Sequence, residues 1–171
     1  DNTTDGVAAD YNGLKQVAPS LPAAWYFDPE HFKTEMRAVW SKHWLYLCRS
    51  AALGAPGAFQ TLSVGDQNIL VLRTPAGRLA GYFNVCRHRG SILVTAAAGV
   101  LPSANLTCPY HQWCYGGEDG RLIGTSSYAD PADFDRADYS LFPISVWEWR
   151  GFVFINLDRE AVWDDDAAFQ R

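Results

Sequence analysis

Apolar positions along this chain change period twice. After a small-residue, Pro-broken stretch over residues 1–22, Asp28-Pro29-Glu30 reads as an N-cap, a first-turn proline and an acidic first turn. Phe32, Met36, Val39 and Trp40 then recur at i, i+4, i+7 and i+8, which predicts an amphipathic helix within residues 23–43 whose aromatic face needs a partner surface. From Trp44 the period becomes that of strands. Short β-prone runs are expected at 44–48, 58–64, 68–73, 79–85, 105–108, 113–115 and 121–124. Gly65-Asp66, Thr74-Pro75-Ala76-Gly77 and Gly116-Gly117-Glu118-Asp119-Gly120 separate them as turns, and a last hairpin runs 144–149, Arg150-Gly151, 152–157.

Many short strands at this spacing predict a mainly β fold, an antiparallel β-sandwich or barrel with an N-terminal helix. The expected organisation is a flexible arm over 1–22, a helix over 23–43, a β domain over 44–158, and a linker-like tail over 159–171. Repeats and low-complexity blocks are absent from the sequence.

Composition narrows the function. At 171 residues, with 48% hydrophobic content and seven Trp, the chain has enough apolar surface for a real core. A net charge of −5 argues against nucleic acid, and no apolar run reaches membrane-spanning length. The first residues carry neither a basic nor an apolar signal region, and the missing initiator Met suggests a processed or truncated product. Asn2 and Asn105 head formal Asn-x-Thr glycosylation triplets, read here as chance.

Chemistry concentrates in two short segments, Cys86-Arg87-His88-Arg89-Gly90 and Cys108-Pro109-Tyr110-His111-Gln112-Trp113. They use half of the four Cys and half of the four His. Two thiolates and two imidazoles from two loops are the ligand set of a Rieske [2Fe–2S] centre, in which His₂ replaces Cys₂ on one iron. Cys86 and Cys108 are the candidate ligands of one iron, His88 and His111 of the other. Neutral imidazoles lower the negative charge, which places such centres at about −150 to +300 mV, against about −400 mV for all-Cys plant-type clusters. Gly90, Gly116 and Gly117 permit tight turns beside the ligands, and Trp113 is placed to wall the site from solvent. The competing reading is a Cys₂His₂ zinc site, although the single residue between Cys86 and His88 is short for zinc. Metal ligation rather than disulfides implies a reducing, cytoplasmic setting.

On these residues the chain resembles the N-terminal part of the large subunit of Rieske non-haem iron oxygenases, the aromatic-ring-hydroxylating dioxygenases and related monooxygenases. The resemblance extends over residues 21–158 and includes the helix and the closing Trp147–Leu157 hairpin. Nineteen residues separate His88 from Cys108, slightly more than is usual there, and Thr95–Gly99 reads as a loop extension. Respiratory Rieske proteins carry a disulfide across the cluster; Ser91 and Tyr110 stand at those positions here. Small Rieske ferredoxins lack the helix and the Arg89-Gly90 and Tyr110/Trp113 pattern, which makes a stand-alone ferredoxin-like carrier the alternative.

The resemblance implies an electron relay within a ring-like, trimer-type homo-oligomer. Electrons would come from a ferredoxin or flavin reductase and pass to a mononuclear Fe(II) in a catalytic domain of the same or a neighbouring subunit. That iron needs two His and a carboxylate. Only His31 and His43 remain, twelve apart on the predicted helix, and they read as ordinary helix histidines. No catalytic residue is therefore expected in this chain. Aromatic hydrocarbon catabolism is the associated expectation, with the pocket that selects substrate lying elsewhere. Cys48 and Cys114 read as small hydrophobes, and Trp147 and Trp149 as one face of the last hairpin. Asp164-Asp165-Asp166 reads as a solvated helix start. Arg87 and Arg89 are open between steering a partner and pairing locally.

Overall fold

The structure, a computed structural model, describes residues 19–126 and 130–164. Most of the expected arm, the Asn2 triplet, Asp165, Asp166 and the end of the expected tail lie outside these residues. By packing the chain divides into residues 1–34 and residues 35–171.

The helix predicted over 23–43 is three shorter pieces: a 3₁₀ turn at Ala23–Tyr26, helix α1 at Pro29–Glu35, and a π-helical turn at Met36–Trp40. Pro29 has no N–H and disfavours helical backbone at Asp28, so α1 begins there. Asp28 caps it by accepting the Glu30 N–H at 3.0 Å. The widened turn, closed by Ser41 N–H on Met36 O at 2.9 Å, breaks the 3.6-residue register. Met36 therefore packs against the core while Val39 and Trp40 remain exposed, and the predicted stripe does not form one buried face. His43 lies beyond the helical residues, in the turn before β1.

Among the described residues, three antiparallel sheets form from Leu45 onward. The first has the order β1-β10-β9 (Leu45–Arg49, Phe152–Asn156, Ser145–Trp149). The second has the order β4-β3-β2-β5 (Leu79–Phe83, Gln67–Arg73, Ala58–Val64, Ala98–Val100). The third, β6-β7-β8, is small (Leu106–Thr107, Cys114–Tyr115, Leu122–Gly124). This is the expected mainly β sandwich with a separate small sheet beside it.

Strand β3 organises the layers. Its run Ile69-Leu70-Val71-Leu72 is continuous rather than alternating, and all four side chains are fully buried. A strand covered on both faces reads this way. Ile69 and Val71 join Cys48, Val153 and Ile155 between the first two sheets. Leu70 and Leu72 face the other way, toward Leu106, Trp113, Tyr115 and Leu122 of the small sheet. Each such burial contributes about 1.5–3 kcal/mol. The two large sheets are also tied by Arg73, which bonds Glu148 at 3.0 Å and Leu53 O at 2.8 Å.

Strand β5 was not expected. The segment read as a loop extension pairs instead with β2, Gly99 opposite Phe59. Its Ala-Ala-Ala-Gly sequence carries no strand pattern, and a Cβ on Gly99 would sit tightly against the Phe59 ring, at 3.0 Å.

Candidate metal centre

Both Cys/His segments fold into the same turn. In the first, Cys86 N–H donates to Ser91 O at 2.8 Å and Gly90 N–H to Cys86 O at 3.0 Å. In the second, Cys108 N–H donates to Trp113 O at 2.7 Å and Gln112 N–H to Cys108 O at 3.1 Å. The fifth residue of each turn is left-handed, Gly90 at φ 71° and Gln112 at φ 60°. A Cβ on Gly90 would meet nothing within 4 Å, so its glycine answers to backbone conformation, not to space. Gly116 to Arg121 repeats the turn a third time, with Gly120 at φ 71°.

The first loop is pinned at its base by Asn84, fully buried between β3 and the returning chain. Its side-chain amide donates to Asn68 Oδ1 and Val94 O, both at 2.7 Å, and its carbonyl accepts Val94 N–H at 3.0 Å. The small sheet seats the second loop. Gly117 lets the small sheet close on itself and on β3, since a Cβ there would fall 1.9 Å from Ala104 O beside β6 and 2.9 Å from Leu72 Cδ1.

These turns bring the four candidate ligands together. Cys86 and Cys108 are each 2% exposed and both are free thiols. The His88 and His111 rings meet edge to face, with centroids 4.8 Å apart and planes 71° apart. His111 Nδ1 is buried with no hydrogen-bond partner, a state that buried ring nitrogens rarely hold and that a metal would relieve. Among the described residues no three His, Cys, Asp or Glu side chains are arranged around a single ion. Two buried thiols and two imidazoles, one with an unpartnered ring nitrogen, are the donor set of a dinuclear cluster held two and two. The residues present fit the cluster.

Their electrostatics favour the ligating forms. Burial raises the Cys108 thiol, but the backbone N–H groups of Tyr110 and His111, with Cys86 and Ser91, outweigh it and leave its pKa below the ordinary value. Burial, then the neighbouring His111 and Arg89, lower the His88 pKa and favour neutral imidazole.

The surrounding residues divide into covered and open. Trp113, 8% exposed, lies flat against the His88 ring at 4.6 Å. Tyr110 packs on His111 at 3.7 Å and is largely exposed, as is Arg89. Arg87 turns inward and is engaged locally: its guanidinium donates to Ser140 O at 2.9 Å and lies 3.9 Å above the Phe142 ring.

Tyr115 is the residue that sequence reasoning missed. It is fully buried, accepts Arg87 N–H at 3.0 Å, and its hydroxyl lies 3.2 Å from Cys86 Sγ. Its signal was the alternation after the second motif, where Trp113 and Tyr115 share the buried face and Cys114 points away. Cys48 lies in the core between the large sheets, and burial raises its thiol. Cys114 is half-buried and accepts from Thr107 at 3.4 Å. His31 stacks on Trp25 at 4.5 Å. No helix among the described residues is long and apolar enough to cross a membrane.

Residues 43–134 match the family model described as Rieske [2Fe-2S] domain. The glycine betaine monooxygenase oxygenase subunit of Chromohalobacter salexigens is 39% identical over 161 residues, covering 94% of this chain and 35% of that protein. The anthranilate 1,2-dioxygenase large subunit of Acinetobacter baylyi is 35% identical over 151 residues, 88% of this chain and 31% of that one. Among solved structures, the apo form of the quaternary ammonium Rieske monooxygenase CntA superposes with a TM-score of 0.81 at 30% identity, over 93% of this chain and 46% of that one. Naphthalene 1,2-dioxygenase from Rhodococcus gives 0.73 at 28%, over 82% and 32%. The chain thus spans about a third of the length of the curated relatives it matches.

Proposed function

The chain belongs to the Rieske [2Fe–2S] domain family, and we propose that Cys86 and Cys108 hold one iron of its cluster while His88 and His111 hold the other. The observation that supports this reading is the repeated turn, which carries two buried thiols and two adjacent imidazoles and leaves His111 Nδ1 without a partner. When bound, the cluster supplies a one-electron store at about −150 to +300 mV. The chain's own residues set its surroundings. Tyr115 and the Tyr110 and His111 N–H groups direct positive dipoles at the sulfurs, Trp113 excludes water beside His88, and Asn84 keeps the first loop closed.

As the larger function, we propose the electron-transfer part of an oxygenase subunit working in the cytoplasm. A ferredoxin or flavin reductase is the donor; a mononuclear Fe(II) in a catalytic domain of the same or a neighbouring subunit of a ring-like homo-oligomer is the acceptor. The matches to oxygenase subunits favour this over a stand-alone ferredoxin-like carrier. The gene's reading frame tests it. Continuation into a region with two further His and a carboxylate is expected; a stop codon directly after Arg171 points to the carrier.

For the substrate, we propose quaternary ammonium compounds in place of aromatic hydrocarbons. Glycine betaine, carnitine and choline monooxygenases stand among the relatives, anthranilate dioxygenase beside them. With the full-length protein and its reductase, a trimethylammonium substrate should stimulate NAD(P)H-coupled oxygen uptake. Stimulation by aromatic acids alone would overturn this assignment.

A further inference from the structure

His88 is also held from outside the two loops. Its imidazole lies 4.6 Å from the Trp113 indole with planes only 9° apart. Trp113 meets Phe134 and Tyr139 edge to face, at 5.8 and 5.5 Å and interplanar angles of 81° and 82°. Those two rings stack on each other at 4.5 Å and 18°. They come from the segment between β8 and β9, outside both motifs.

That segment is fixed at the surface. Asp130 accepts from Arg136 Nε at 2.6 Å and from Thr125 Oγ1 at 2.8 Å, and Arg136 Nη1 also reaches Ile123 O at 2.9 Å on β8. Asp135 caps the 3₁₀ turn Arg136–Tyr139 by accepting Ala137 N–H, and Leu141 N–H closes on Gly120 O. The ring pair is thus tied to the same small sheet that carries Trp113.

We infer that Phe134 and Tyr139 are positioning residues, a clamp that sets the orientation of the His88 ring through Trp113, with the Asp130–Arg136 pair holding the clamp in place. A free imidazole rotates about its Cβ–Cγ bond. Flat stacking on an indole that is itself wedged by two rings removes that freedom without adding a charge or a proton acceptor beside the ligand. Ring orientation governs how a histidine meets its metal and how much water reaches it. The inference rests on the proposed role of His88 as a cluster ligand.

The test uses the cluster-loaded chain in five forms: wild type, Phe134→Ala, Arg136→Gln, Tyr139→Phe and, to assign the couplings, His88→Cys. Pulsed EPR of the reduced protein reads the nitrogen couplings of the two imidazoles, and an iron chelator reads the rate of cluster loss. Phe134→Ala and Arg136→Gln should broaden one coupling, the one that His88→Cys removes, and should speed cluster loss several-fold. Tyr139→Phe keeps the ring and should match wild type. Arg136→Gln removes no ring from the packing, so the test stands even if Phe134→Ala folds poorly. Unchanged couplings and rates in Phe134→Ala and Arg136→Gln overturn the clamp. Equal broadening of both couplings, or a Tyr139→Phe effect as large as that of Phe134→Ala, overturns it too, since that is general loosening. A wild-type protein without two nitrogen couplings overturns the ligand assignment itself, and the clamp with it.

Discussion

Replacing Tyr115 with Phe isolates one hydrogen bond to a cluster sulfur. The hydroxyl oxygen already accepts Arg87 N–H at 3.0 Å, so its own proton is directed at Cys86 Sγ, 3.2 Å away. Burial and the Cys86 contact raise the Tyr115 pKa, so the phenol stays protonated and remains a donor. A donor facing the sulfur stabilises the more negative, reduced state, and its removal lowers the potential. A hydrogen bond to a charged group is worth about 1.5–3 kcal/mol, of which the difference between oxidation states is taken as about 1–2. At about 59 mV per tenfold for one electron, that difference lowers the potential by about 40–85 mV. Phe retains the ring that fills the core, so the fold should persist, with some stability lost where Arg87 N–H is left without its acceptor. Redox titration of the cluster-loaded chain, followed by visible circular dichroism, gives the shift. An unchanged or raised potential in Tyr115→Phe would refute the reasoning.

The ligand assignment predicts that His88→Cys and His111→Cys each convert the Rieske absorption and EPR spectrum into that of a cluster with a single imidazole ligand. Cys48→Ser and Cys114→Ser should leave the Rieske spectrum intact, and loss of the spectrum in Cys114→Ser would overturn the assignment. Two glycines should differ. Gly117→Ala drives a methyl into Ala104 O at 1.9 Å and should cost about 3 kcal/mol or more, whereas Gly90→Ala meets open space and should cost about 1–2 kcal/mol for its φ of 71°, both read from thermal unfolding. Glu148 is held below its ordinary value of 4.5 by Arg73 first and Ser50 second. Its folded pKa is depressed, so its contribution is full above about pH 4.5 and fades as the pH falls below that value. The Tm difference between wild type and Glu148→Gln should therefore be constant from neutral pH down to about pH 5 and shrink under more acid conditions; a difference that grows with acid contradicts the ion pair.

Where side chains alternate or glycines punctuate, the fold was legible in the sequence. The hairpin turn at Arg150-Gly151 has φ of 46° and 83°, as a two-residue primed turn requires, and β2 matches its predicted bounds. Strand β5 was hidden because Ala and Gly carry no pattern and its pairing is decided by β2. The N-terminal helix is broken where the sequence carries no signal, since the apolar spacing of Phe32, Met36, Val39 and Trp40 cannot reveal a π turn. At the site, the Cys/His residues announced themselves by type and spacing. Gln112 did not, since it takes the left-handed position that Gly90 and Gly120 fill in the equivalent turns. Tyr115, Phe134 and Tyr139 look like ordinary core aromatics until the fold sets them beside Cys86 and Trp113.

The two-plus-two ligand set is tested most directly by pulsed EPR of the reduced, cluster-loaded chain with its histidines labelled with nitrogen-15. Coupling to two histidine nitrogens is predicted, one lost in His88→Cys and the other in His111→Cys. A spectrum without histidine coupling, or couplings that survive both substitutions, would contradict it.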